Sequence, residues 1–284
     1  MLGSPHRGDP LARSRQLNPH TDYEEIHRIV ALHEFPWDYV TALNLAFYRV
    51  FAVPRMARLL VRTGEMEGRP AKRAQDTGLI LYELIAAGLH SERGLTLVRS
   101  MNRMHRSWPI EEEDFRYVLA AFMVVPIRWI EDWGWRRLDT VEVEALARYY
   151  LELGRLMGIR DMPEDYAGIE GLFDAYERQH LAYSPEGACL LAATRDVIAE
   201  RLPVGTRFLA GPLLRAVLGT RLSPFLGADP PGWSLRAAFR AAVGVRGAIM
   251  RRMPPRRTPW FTAGQATSVY PGGYAVDDLG VGPS

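Results

Sequence analysis

The stretch DTVEVEALARYYLELGRLMGI, residues 139–159, decides the fold class of this chain. Its apolar residues recur every three or four positions, the spacing that places side chains on one face of an α-helix. Asp139 stands before the apolar run and Glu142 follows three residues later, which is the arrangement of a helix-capping box. We therefore predict an amphipathic helix that begins just after Asp139.

Helix start signals of the same kind recur on both sides of this stretch. Ser91 precedes an apolar run, Asp161 and Glu164 repeat the capping-box spacing, and a further run opens on Ser184 and Pro185. Alternating strand patterns are scarce, and hairpin dipeptides such as Asn-Gly are absent from the sequence. The sequence therefore predicts an all-α protein.

The domain organisation follows from where helical spacing begins and ends. We predict a single helical domain of about nine or ten helices over residues 21–262. A disordered N-terminal tail (1–20) is expected before it and a glycine-rich C-terminal tail (263–284) after it. Pro126 lies inside an apolar run, so the helix that begins near Glu111 must kink or end there.

Composition excludes several classes of protein. The chain has 284 residues, 48% of them hydrophobic and 24% charged, with a net charge of +2, which is ordinary for a globular protein with a large core. The single cysteine, Cys189, cannot form an internal disulfide or a thiolate metal cluster, and this suits a reducing compartment. The first 20 residues lack the apolar stretch of a secretory signal peptide. We therefore expect a cytoplasmic protein.

The sequence argues against a membrane span but leaves a peripheral membrane contact open. The best candidate span, residues 117–130, is short and is interrupted by Pro126 and Arg128. The apolar, glycine-punctuated residues 204–226 and the basic residues 250–257 would suit contact with a lipid surface. A core helix pair and a solvated helix face explain the same two stretches. We expect no nucleic-acid partner, and nothing in the sequence indicates an oligomeric state.

Motifs of several common enzyme classes are missing from the sequence. There is no GxSxG nucleophile elbow, no GxxxxGK[ST] phosphate loop and no GxGxxG fingerprint. Glu177 and His180 have the ExxH spacing of di-iron helical bundles, but such sites need a second copy with further glutamates on facing helices. We find no convincing second copy, so a di-iron site is not expected.

A helix predicted over residues 71–89 carries polar residues in line with its apolar stripe. The stripe that includes Leu81 continues backwards to Thr77, Asp76 and Arg73, since residues three and four apart share a helix face. One interpretation is an Arg73–Asp76 pair at the solvated start of the helix. The other is the polar end of a buried pocket, in which the arginine holds an anionic group.

The segment ERGLTLVRSMNRMHRSW, residues 92–108, places a histidine among apolar and sulfur-bearing side chains. Either Met101 or Asn102 falls on one helical stripe with His105, so His105 is predicted to face inward. A lone inward histidine is more often a hydrogen-bonded core residue than a ligand. Inward methionines suit a flat apolar cofactor, but they also fill ordinary cores.

Residues 51–134 followed by residues 144–177 resemble the MpaB-like oxygenase family, which is related to the rubber oxygenases called latex clearing proteins. The resemblance extends from about Tyr23 to GGYAVDDLG near the end of the chain. Its most specific part is the pairing of RAQDT (73–77) with MNRMH (101–105) about thirty residues downstream.

The resemblance implies a haem site. Rubber oxygenases are all-helical b-type haem proteins in which the arginine and threonine of an R-x-x-K-T arrangement line the haem pocket. A histidine about thirty residues later is their proximal iron ligand. The matching positions here are Arg73, Thr77 and His105, with Met101 also expected beside the cofactor. The lysine position is Asp76, which we expect to pair with Arg73 or to orient a distal water. The distal glutamate of the rubber enzyme has no clear counterpart.

The resemblance further implies an enzyme, a haem b-dependent oxygenase that cleaves a C=C bond of an apolar, isoprenoid-like small molecule with O2. His105 would be the ligand of the haem iron, Arg73, Thr77 and Met101 would bind the cofactor, and Arg73, Asp76 and Thr77 would be the catalytic residues. The alternative is a non-catalytic haem-binding or lipid-binding protein, a carrier or sensor. In the haem-binding case, protein groups would fill both axial positions of the iron.

Overall fold

The computed structural model describes residues 13–63, 70–267 and 270–279, and the side chains of residues 70–77 and 277 lie outside this description. Eleven α-helices lie within the described residues: α1 Tyr23–Ile29, α2 Pro36–Phe51, α3 Pro54–Arg62, α4 Pro70–Ala87, α5 Glu92–Arg106, α6 Glu112–Trp133, α7 Thr140–Met157, α8 Tyr166–His180, α9 Pro185–Arg201, α10 Ala210–Leu222 and α11 Trp233–Met250. One contiguous apolar core joins them, and no strand occurs in the described part of the chain. The all-α, single-domain prediction is therefore confirmed.

The predicted number of helices, nine or ten, is wrong by at least one. Two prolines raise the count because each begins a new helix: α2 starts at Pro36, after α1 and a π-helical turn, Val30–Glu34, and α3 starts at Pro54, soon after α2 ends. Proline fits the first turn of a helix, where its missing N–H has no helical partner.

Three of the predicted helix starts are confirmed. In each, a side-chain oxygen of the capping residue accepts a hydrogen bond from the backbone N–H three residues later; the capping residues are Ser91, Asp139 and Ser184. At Asp139 the side chain of Glu142 also accepts from the N–H of Asp139, which completes the capping box. Local hydrogen bonding of this kind removes unsatisfied backbone groups at a helix end.

The helix start predicted at Asp161 is wrong. Helix α8 begins after Asp165, whose Oδ1 accepts a hydrogen bond from the N–H of Gly168 at 2.8 Å. Asp161 instead has a φ of 56°, in the left-handed region, and therefore lies in the loop before the helix. Asp161 and Asp165 are both aspartates, a residue type that commonly caps helices. The conformation of the loop decides which of them does so.

Helix α6 lies at the centre of the fold and continues through Pro126. It packs against α2 on one side and α8 on another, and its residues Val125 and Ile127 are buried. The helix does not end at the proline, although one backbone hydrogen bond is lost there. Burial of apolar side chains on both sides of Pro126 outweighs the loss of that hydrogen bond.

The structure describes only the last part of the predicted N-terminal tail. Residues 1–12 of the predicted N-terminal tail lie outside the described residues. Arg13 pairs with Glu25 at 3.0 Å, and His20 Nε2 lies 3.2 Å from Glu144 Oε1. These two contacts tie residues 13–20 to the helical domain.

The C-terminal segment is held against α4 by Glu83. The buried Glu83 carboxylate accepts hydrogen bonds from the N–H of Gly264 and the hydroxyl of Tyr274, both at 2.6 Å, and pairs with Arg93 of α5. Phe261 is also buried, beside the ring of Tyr82. The described part of the glycine-rich segment therefore packs onto the helix that also carries positions 73–77.

None of the helices in the described part of the chain combines the length and the apolar character that a bilayer span requires.

A buried polar cluster gives one histidine a structural role. His27 Nε2 lies 2.5 Å from the hydroxyl of Tyr39, which lies 3.0 Å from the hydroxyl of Tyr150. Burial, with a smaller contribution from the charge of Arg28, lowers the pKa of His27 to about 3. The imidazole is therefore neutral in the folded protein at neutral pH, and its partners are core tyrosines.

This buried histidine should make stability depend on pH. Because the pKa of His27 is about 3 in the folded protein and about 6.5 in an unfolded chain, the unfolded state binds more protons between these values. The contribution of His27 to the free energy of unfolding is complete above pH 6.5 and falls by about 1.4 kcal/mol per pH unit below it. Urea unfolding at about pH 7, 6 and 5, from above the unfolded-state pKa into the range where stability falls, measures this contribution when the parent and His27→Gln are compared. Equal pH dependence in the two proteins would contradict it.

Candidate functional site

The site is a cavity of about 460 Å³ that is lined by residues of α3, α4, α5, α6 and α7, with part of α2. Its volume lies within the range of about 300–1,000 Å³ that is typical of small-molecule and cofactor sites. Most of the wall is apolar: the aliphatic, aromatic and sulfur-bearing residues include Phe47, Met56, Ile80, Leu81, Met101, Met104, Phe115, Leu119, Phe122 and Leu153. Such a wall favours an apolar ligand and excludes water from it.

A tight turn between α4 and α5 sets the position of both helices in the cavity wall. Gly88, with a φ of 87°, ends α4, and Ser91 caps α5 three residues later. At Gly94 a Cβ atom would lie 2.1 Å from the carbonyl oxygen of Gly88, so only glycine permits this close approach. The turn brings the cavity-lining residues of α4 and α5 to one wall.

Met101 and His105 lie on the cavity wall, one helical turn apart on α5. Met101 is buried and His105 is half-buried. The ring of Phe115, on α6, packs edge-on against the imidazole of His105 with 5.3 Å between the ring centroids. Asn102, the other candidate for the inward stripe, donates instead to the carbonyl of Leu156 at 3.1 Å. The cavity thus receives one imidazole, held against an aromatic ring.

Arg73, Asp76 and Thr77 belong to the first half of α4, and their side chains lie outside the described residues. Ile80 and Leu81, the next residues along the predicted stripe, line the cavity. The roles of the three polar residues therefore stay predictions.

Sequence reasoning missed the arginines of α3. Arg58 and Arg62 both line the cavity, are exposed, and form no ion pair with any carboxylate in the described part of the chain. Their spacing of four residues places them on one face of α3. Two arginines four positions apart at the edge of an apolar run are the sequence signal that could have identified them. They bring positive charge to the rim of an otherwise apolar cavity.

A third arginine of α3 is bound by an acidic network in the same wall. Arg55 Nε donates to both carboxylate oxygens of Asp114, at 2.9 and 3.0 Å, and its guanidinium also pairs with Glu113. The hydroxyl of Tyr176 donates to Asp114 and accepts from Arg55. The hydrogen bonds that Arg55 donates to the Asp114 carboxylate raise the pKa of Arg55 above its usual value. Asp114 is therefore fully engaged in fixing α3 against α6 and α8.

The ExxH pair of α8 does not contribute to the cavity. Glu177 accepts hydrogen bonds from Arg49, at 2.5 Å, and from the hydroxyl of Tyr117, at 3.1 Å. His180 Nε2 lies 3.9 Å from a carboxylate oxygen of Glu113. No group of three or more histidine, cysteine, aspartate or glutamate side chains suited to a metal ion occurs among the described residues. Glu177 therefore serves a structural network.

The residues that line the cavity fit a haem. A b-type haem needs a neutral imidazole nitrogen for its iron, an apolar shell for its ring and cations for its propionates. His105 is the one histidine among the described lining residues, the shell is apolar, and Arg58 and Arg62 are cations at the rim. The described wall therefore offers one imidazole, an apolar surface and two cations, the groups that would hold a haem.

Comparison with known proteins identifies the family and confirms the resemblance. The family model described as "ER-bound oxygenase mpaB/B'/Rubber oxygenase, catalytic domain" matches residues 37–249, and the chain belongs to this family. The match includes nearly all of α2, all of α3 to α10 and nearly all of α11, and therefore the whole described wall of the cavity.

Two curated relatives come from Penicillium brevicompactum. The chain is 26% identical over 257 residues to ER-bound oxygenase mpaB' and 26% identical over 251 residues to ER-bound oxygenase mpaB, with 82% of this chain covered in each case. The matches cover 59% and 57% of those proteins, so the chain spans somewhat less than three-fifths of their length.

Among solved structures, latex clearing protein in its closed state has a similar fold. It matches with a TM-score of 0.54 and 19% identity, over 89% of this chain and 71% of that protein. At this level of identity the likeness shows a shared helical fold.

Proposed function

We propose that this protein is a haem b-dependent oxygenase that oxidatively cleaves a C=C bond of an apolar, isoprenoid-like small molecule with O2. One observation carries the proposal: an imidazole, that of His105, lies in the wall of an apolar cavity in a chain of the mpaB and rubber oxygenase family. The family supports oxygenase chemistry, and the cavity supports an apolar ligand.

His105 would hold the iron through one ring nitrogen. Its edge-on contact with Phe115 would limit rotation of the imidazole and so help to orient that nitrogen. Met101 would pack beside the ring of the cofactor, one helical turn away. When bound, a haem b supplies the redox-active iron at which O2 reacts with an alkene.

The arginines of α3 would orient anionic groups. Arg58 and Arg62 can donate to carboxylates at the rim of the cavity, either those of the haem propionates or a polar end of the substrate. Arg73 and Thr77 retain the proposed role of further contacts at the cofactor edge, and Asp76 that of tuning the distal side.

The apolar wall would orient the substrate and exclude water. Residues such as Met56, Leu119 and Phe122 offer no hydrogen-bond partner, so a hydrocarbon chain is bound by burial and shape alone. Asp114 lines the cavity as well, but Arg55 and Tyr176 occupy its oxygens. Its contribution is to hold the wall rigid, and we assign no proton transfer to it.

The test begins with haem uptake. Titration of the full chain with haemin should give a Soret band that saturates at one haem per chain, and the ferrous protein should bind carbon monoxide. Incubation with an isoprenoid alkene, a reductant and isotopically labelled O2 should yield carbonyl products that contain the label. Absence of haem binding, or of labelled products, would overturn the proposal. Haem binding without carbon monoxide binding would support the non-catalytic haem-binding alternative instead.

A further inference from the structure

The C-terminal third of the chain is strongly basic. Eleven arginines and a single acidic residue, Asp229, lie within residues 201–276, whereas the whole chain has a net charge of only +2. Only Arg221 and Arg246 of these arginines pair with a carboxylate among the described residues. A large excess of unpaired positive charge is therefore confined to one part of the fold, which includes α10 and α11.

Helix α11 is apolar on the side that faces away from the domain. Only two of its residues, Val243 and Gly247, are buried. On the opposite side of the helix, residues three and four apart form an exposed stripe of small and branched apolar side chains: Ala238, Ala241, Val245 and Ile249. Val245 is 62% exposed and Ile249 is 53% exposed. A surface helix normally has polar residues on that side.

Further large apolar side chains are exposed on neighbouring elements. Trp233, at the start of α11, and Phe208, in the 3-10 turn Val204–Leu209, are 78% and 74% exposed. Helix α10 packs against both this turn and α11, so the elements are neighbours in the fold. Isolated exposed apolar residues are common, but here they recur on adjacent elements and among arginines.

We propose that the outward stripe of α11, with the arginines of residues 201–257, binds the surface of an anionic lipid membrane. Apolar side chains enter the boundary between head groups and acyl chains, while arginines extend their aliphatic stems and place their guanidinium groups at lipid phosphates. Tryptophan prefers the same interface. The proposed contact is made by one face of α11 at the bilayer surface.

The charge and the apolar stripe of this surface favour a membrane over two other partners, a second copy of this chain and a nucleic acid. A second copy of this chain would bring unpaired arginines against unpaired arginines, which is unfavourable. A nucleic acid would satisfy the arginines but would leave the apolar stripe in water. An anionic bilayer satisfies both the charge and the apolar stripe.

The experiment measures co-sedimentation of the full chain with vesicles. One set contains phosphatidylcholine alone, and the other contains equal parts of phosphatidylcholine and phosphatidylglycerol. We expect binding to the anionic vesicles only, weakened by salt. Val245→Ser with Ile249→Ser, and separately Arg252→Gln with Arg257→Gln, should each weaken binding by about tenfold. All four side chains are exposed, so the variants should fold normally.

The matched control is Arg160→Gln with Arg178→Gln, which removes the same charge from exposed positions outside residues 201–276. It should leave vesicle binding nearly unchanged. The proposal is wrong if the parent binds neither vesicle, or if the control weakens binding as much as the test variants. It is also wrong if the serine variant has no effect, which would indicate a general polyanion site. A dimer in light scattering that the serine variant dissociates would assign the stripe to a second copy.

Discussion

Replacing His105 with glycine is expected to abolish stoichiometric haem binding, with a loss of affinity of at least about a hundredfold. Loss of a side chain that only hydrogen-bonds to a metal ligand already costs about 10–100-fold in metal affinity. The His105 change would remove the only histidine among the described residues of the cavity wall. The measurement is the Soret titration with haemin. Added imidazole should restore the band, because it can occupy the space that the side chain leaves and supply the missing nitrogen.

The rescue separates loss of a ligand from loss of the fold. His90→Gly is the matched control, since the side chain of His90 is 51% exposed and pairs with Glu152 at 3.1 Å, outside the cavity. It should bind haem as the parent does. A His105→Gly protein that binds haem like the parent would remove His105 as the ligand, and a folded variant that imidazole fails to rescue would count against it as well.

Replacing Asp114 with alanine should produce the second large effect, on stability. The change leaves Arg55 and the hydroxyl of Tyr176 without their shared partner in a largely buried wall. Breaking such a pair costs about 3 kcal/mol, which for a chain of this size corresponds to roughly 6–12 °C in Tm. Chemical and thermal unfolding of the two proteins provide the measurement.

Glu113 supplies a control that shares the same arginine. Its side chain is 45% exposed, and its pairing with Arg55 is therefore weakened by solvent. Glu113→Ala should change the free energy of unfolding by less than about 1 kcal/mol. Similar losses for the two variants would show that net charge near Arg55, rather than the buried contacts of Asp114, determines stability.

Much of the helical architecture could be predicted from local patterns. The caps at Ser91, Asp139 and Ser184 depend on a hydrogen bond to a residue three positions away, so a short window of sequence contains the whole interaction. The same local rules failed at Asp161, where the backbone conformation of the loop selects Asp165 instead. At Pro126 they left a kink or a helix end open, and packing on α6 decides against an end.

The candidate site was predictable only in part. The helical stripe predicted an inward His105, and the resemblance to the oxygenase family suggested iron as its partner. Periodicity alone does not separate His105 from His27, which also lies on a buried helix face. The difference is that His27 is hydrogen-bonded to the hydroxyl of Tyr39. That hydroxyl is in turn hydrogen-bonded to Tyr150, 111 residues further along the chain. His105 instead lines the cavity.

By itself, the sequence determined the helical class, the helix starts at Ser91, Asp139 and Ser184, and the family. Each depends on residues close together in the chain or on a motif pair of fixed spacing. Only the tertiary structure decided that Arg58 and Arg62 reach the cavity and that Arg55 is held by Asp114, 59 residues away. Cavities and buried ion pairs arise from side chains of several helices that converge in space, and no local pattern encodes that convergence.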